Sequence, residues 1–141
     1  MDESKFFEAV QSLAQGLSQW DLLIIAGSMV IIVSTGYYRP RTRRMRLTYL
    51  VFLPSWILLA LSIYRGIQIQ GSYVAYLMAS LRKDTDSQKA AIISSIVAKV
   101  NNDAIYQIRF LECALLCLAV WLVIYICWWA FTDKIRTEDA K

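Results

Sequence analysis

The 141-residue chain contains no histidine. That absence removes the commonest metal ligand, the usual proton shuttle near neutral pH and the favoured haem ligand together, so neither a metal nor a cofactor is expected. The three cysteines, Cys113, Cys117 and Cys127, all fall in the last apolar block. They give no disulfide framework and no redox compartment, and read as small polarizable residues of an apolar helix. Clustered carboxylates inside the apolar blocks are lacking too, as is a nucleophile beside a base, so the chain is not expected to be an enzyme. It also lacks the intramembrane charge and repeated broken helices of an alternating-access transporter.

What is present is apolar side chain in excess. Hydrophobic residues make up 57% of the chain and the mean hydropathy is +0.43, outside the usual soluble range. They come in blocks without a period of two, which is how lipid-facing helices read. The net charge of +4 does not point to nucleic acid, because five of the fifteen basic residues are Arg39, Arg41, Arg43, Arg44 and Arg46, between two apolar blocks. A run in that place orients a membrane protein and contacts lipid headgroups.

The expected fold is an all-α integral membrane protein with three transmembrane helices. Residues 3–18 carry Phe6, Val10, Leu13 and Leu17 at helical spacing opposite Glu3, Lys5, Glu8, Gln11 and Gln15, giving a short amphipathic helix that lies in the interface or packs on other helices. The first span covers 22–38 and reaches ~25 Å at about 1.5 Å per residue. Acidic residues before it, arginines after it and no small-x-small site set it apart from a cleaved signal peptide. An arginine-rich loop, 39–46, leads to a second span, 47–64, in which Pro54 is expected to produce a kink. The third span covers 110–131 and a charged tail 132–141. Trp20, Tyr64 and Phe110 near one boundary, with Tyr37, Tyr38, Tyr49, Trp128 and Trp129 near the other, form two aromatic belts.

Orientation follows from basic residues. The 39–46 loop and the tail share a side and hold eight Lys and Arg, while the other side spreads seven over a longer stretch. Density in short loops sets the cytoplasmic face, so the expectation is a multi-pass inner-membrane protein with its N-terminus outside and C-terminus inside.

Residues 65–109 are too long for a structureless connection. Ile67, Val74, Leu77 and Leu81 share one helical face, and Ile93, Val97, Val100, Ala104 and Ile108 lead into the third span at spacings of three and four. Gly66 and Gly71 weaken the junction with the second span, and 83–87 supplies turn and cap chemistry. The segment therefore reads as an antiparallel helical hairpin outside the membrane. Ala75 and Ala79 in one arm and Ala90, Ser94 and Ala98 in the other repeat at four-residue spacing, a stripe that lets helices approach closely within the hairpin or between subunits.

Four ionisable residues, Asp21, Arg65, Arg109 and Glu112, end or begin the spans at a similar depth. They read as interfacial anchors, with Arg109 placed to pair with Glu112, or as a charged pore mouth if subunits repeat about an axis. In span order, orientation and charged tail the chain resembles some phage holins, although the long outer hairpin departs from their compact loops. The functional expectation is a small homo-oligomer that forms a channel or permeabilises the membrane. The alternative is an accessory or assembly subunit docking a larger membrane complex through the hairpin. The partners in either case are the bilayer and other membrane subunits.

Overall fold

In the computed structural model the described residues are 3–37, 50, 52–81 and 86–138, with the backbone alone described at 3–4, 35–37, 86 and 129–138. Arg39, Arg41, Arg43, Arg44 and Arg46 lie outside them, as do residues 83–85 of the expected turn. Among the described residues there are three helices and no strand: α1, Glu3–Tyr37; α2, Phe52–Leu81; and α3, Asp86–Glu138. Each is long and apolar enough to cross a membrane. The three are compatible with a multi-pass membrane protein.

The helices are longer than the expected spans. Residues 3–18 and 22–37 belong to one helix, because nothing between Ser18 and Leu22 breaks the hydrogen-bond ladder. Helix α2 passes through Gly66 and Gly71 without interruption, and α3 includes most of the expected tail. At about 1.5 Å per residue, the 53 residues of α3 span ~80 Å, more than twice a hydrocarbon core of ~30 Å. Pro54 is not a mid-helix kink. The helix begins at Phe52, which puts the proline in the first turn, where an N–H has no intrahelical partner to lose.

Cross-helix hydrogen bonds give the topology. Ser55 Oγ donates to the Ala114 carbonyl at 3.2 Å, Ser62 Oγ to the Gln107 carbonyl at 3.2 Å, and Lys89 Nζ to the Ser80 carbonyl at 2.7 Å. Higher numbers on α2 meet lower numbers on α3, so the two run antiparallel along their shared length. Helix α1 runs antiparallel to α2: Phe7 stacks on Tyr76 with ring centroids 4.2 Å apart, and Trp56 Nε1 donates to Ser28 Oγ at 2.8 Å. The α2–α3 contact is the most extensive and the α1–α3 contact the least.

Inward positions recur with a period of seven. On α1 they are Phe7, Ala14, Asp21 and Ser28; on α3 they include Val100, Gln107, Ala114 and Trp121. On α2, Phe52, Ser55, Leu59, Ser62, Gly66 and Ile69 alternate steps of three and four. That is the seam of a coiled coil, yet half of it is polar or small. Large apolar side chains such as Leu22, Val30, Ile57, Leu116 and Val123 point outward. A water-soluble bundle sorts the other way, while helices in lipid pack through small and polar residues.

Candidate functional site

One apolar part of the core lies at the end where α1 begins, and another, with Phe52, Leu59, Ala114 and Trp121, lies beyond the polar residues between them. Phe7, Ala14, Ile69 and Val100 are buried together, with Val10, Tyr73, Tyr76 and Val97 around them. One to two turns further along, the interior changes character. Ser18 and Asp21 from α1, Ser62, Arg65 and Gly66 from α2, and Asp103 and Gln107 from α3 form a polar layer. Asp21 and Gln107 are 0% exposed and Asp103 is 3% exposed.

Gln107 ties the layer together. Its Nε2 donates to the Ala14 carbonyl at 3.1 Å and to Ser18 Oγ at 3.3 Å, and Ser18 Oγ itself donates to the Ala14 carbonyl at 2.9 Å. Gly66 makes room for this. A Cβ there would sit 2.6 Å from Ser18 Oγ and 2.9 Å from Gln107 Nε2, so a side chain would displace the hydroxyl and the amide that meet at this point. The glycine that weakens α2 by propensity is thus the residue that lets three helices meet.

Charge in the layer is unbalanced. Arg65 Nη1 donates to Asp103 Oδ1 at 2.8 Å, and its guanidinium lies 5.2 Å from the centre of the Tyr106 ring. Arg65 is where the layer reaches the surface, with 35% of its side chain exposed. Asp21 has no cationic partner: the Ser62 hydroxyl beside it is shared with the Gln107 carbonyl, to which it donates at 3.2 Å, and neither Asp21 oxygen is in full hydrogen-bond geometry with a donor. Asp103 Oδ2 and Gln107 Oε1 are buried acceptors without donors as well. Each orphaned neutral group costs about 1–3 kcal/mol, and a charged one more.

Of the four ionisable residues singled out from sequence, the structure brings Asp21 and Arg65 into this layer. Arg109 and Glu112 are exposed on the outer side of α3, and among the described residues they form no salt bridge with each other. Asp103 and Gln107, the residues that complete the layer, were not singled out; their three- and four-residue steps from Val100 were the available signal. Of the small-residue stripe, Ala75, Ala90, Ser94 and Ala98 are exposed and Ala79 is half-buried. The stripe does not bring α2 and α3 together. Ala90, Ser94 and Ala98 instead line an open groove of about 740 Å³ with Phe6, Ile93 and Val97.

Among the described residues, no group of three or more Cys, Asp or Glu side chains is placed to hold a metal ion. No family model, curated protein or solved structure matches this chain.

Proposed function

We propose that the chain is a small membrane protein that assembles with copies of itself and, once assembled, forms a channel or permeabilises the bilayer. In this reading the N-terminus is outside, the C-terminus is cytoplasmic, and the ends of α2 and α3 that meet near Ser80 and Lys89 project from the outer face of the inner membrane. The observation that supports it is the outer surface of that projecting part. Ile67, Val74, Met78 and Leu81 are all at least half exposed there, an apolar stripe that water would not leave uncovered. A second copy offers a matching stripe. The packed centre of one bundle, closed around Gly66, favours a pathway between subunits over one through a single subunit.

A second reading, an accessory subunit of a larger complex, is supported by the open groove along Ala90, Ser94 and Ala98, whose small side chains would let another helix approach closely. Mass measurement of the purified protein in mild detergent separates the two. A defined homo-oligomer with ion flux in liposomes supports the first reading, and stoichiometric recovery of an unlike protein supports the second. A monomer without flux would sink the first. Single cysteines introduced at Lys5 and Lys141 should be labelled from opposite sides of sealed vesicles if the stated orientation holds.

A further inference from the structure

The geometry points to a monovalent-cation site in the core of the bundle, centred on Asp21 and occupied by an exchangeable proton or sodium ion. This inference does not rest on self-assembly, since every residue it uses belongs to one chain. Four buried oxygens in the bundle core, Asp21 Oδ1 and Oδ2, Asp103 Oδ2 and Gln107 Oε1, accept nothing. Gln107 Nε2 is committed to Ala14 and Ser18, the Ser18 hydroxyl to Ala14 and the Ser62 hydroxyl to Gln107, while Arg65 enters the layer through Nη1 on Asp103 Oδ1 and not on Asp21. What the layer lacks is a positive charge or a proton, never an acceptor.

The charge balance also sets the valence. Asp21 from α1, Arg65 from α2 and Asp103 from α3 are the charged groups of the layer, and they leave one negative charge in surplus. Tyr106 lies under Arg65 with its ring, while Tyr64 of α2 and Arg109 of α3 face outward. An isolated buried carboxylate is costly, and one added positive charge removes the surplus. A divalent ion would overshoot the single surplus charge, and among the described residues no three Cys, Asp or Glu side chains come together to hold one. Asp21 is the ligand because it alone of the two carboxylates has no guanidinium.

The test is chemical labelling of the full-length protein in detergent or lipid vesicles with a hydrophobic carbodiimide, which modifies protonated carboxyl groups in apolar surroundings, read by peptide mass spectrometry. In choline chloride, Asp21 should be modified and the yield should fall as pH rises. If sodium competes for the site, replacing choline with sodium suppresses the yield at fixed pH and raises the thermal midpoint of the wild type by mass action. A pH response without a sodium response identifies the occupant as the proton. Asp21→Asn keeps the shape and removes the charge, so it should fold, lose the label and lose any sodium-dependent gain in midpoint. Failure to label Asp21 in the folded protein when it labels in SDS, or a yield indifferent to both pH and sodium, overturns the proposal.

Discussion

Arg65 Nη1 donates to Asp103 Oδ1 at 2.8 Å across the α2–α3 seam, and the two ends of this bond are unequally buried: 35% of the Arg65 side chain is exposed but 4% of the Asp103 side chain. The pair is therefore asymmetric under mutation. Asp103→Asn frees an arginine that can turn outward, and should cost about 1 kcal/mol. Arg65→Met strands a buried carboxylate beside another unpaired one, and should cost about 3 kcal/mol or more. Unfolding in an SDS titration followed by far-UV circular dichroism measures both. A larger loss from the aspartate variant would contradict the buried placement of Asp103.

The two α2 glycines five residues apart should respond in opposite directions. A Cβ at Gly66 meets Ser18 Oγ and Gln107 Nε2, whereas one at Gly71 meets nothing within 4 Å. Gly66→Ala should lose about 1–3 kcal/mol through overpacking. Gly71→Ala should be neutral or gain up to about 1 kcal/mol from helix propensity. Adding Ser18→Ala to Gly66→Ala should recover part of the loss, as read by the same titration.

Phe7 tests whether the start of α1 is a packed part of the bundle. It is 2% exposed and stacks on Tyr76, while its neighbour Phe6 is half-buried at the edge of the groove. Phe7→Ala should cost about 3–4 kcal/mol and expose the first turns of α1 to protease. Phe6→Ala should cost much less. Equal losses, or none, would mean that this end of α1 lies on the membrane surface instead.

Cys117 reports on the α3 span. It is half-buried, one turn past Cys113 and flanked by the outward-facing Leu116 and Val120. With Cys113 and Cys127 replaced by serine, Cys117 should resist a charged maleimide in intact and in permeabilised vesicles, then react once SDS unfolds the protein. Prompt reaction in vesicles would place this part of α3 in water.

The helices themselves were legible because three- and four-residue spacing and long apolar runs survive in the sequence. The continuity of α3 was readable from Ile93 through Ile108 for that reason. Which face turns inward was not, because hydrophobicity stops marking the core when lipid covers the outside. Arg109 and Glu112 show the failure plainly. Expected at the depth of Arg65, they lie one to two turns away from it in the Ser62–Gln107 register, and Arg109, two residues past Gln107 and about 200° around the helix, faces out. Azimuth needs the seven-residue repeat, which a hydropathy profile does not show. Asp21 stands out in the sequence because it immediately precedes the apolar run 22–38. Asp103 stood in the midst of a polar-looking stretch and gave no comparable contrast.

The seven-residue recurrence from Phe7 to Ser28 has a geometric consequence for any neighbour. A straight helix repeats every 3.6 residues, so holding one stripe inward at seven-residue steps winds the three helices left-handed around one another, with a pitch on the order of 150 Å. Over the ~45 Å of α2 the outer surface then turns by roughly a third of a revolution. Whatever lies along the Ala90–Ala98 groove must coil with it, or lose contact after a few turns. A docking helix with its own heptad repeat would track the groove, and a rigid straight one would be held at a single crossing.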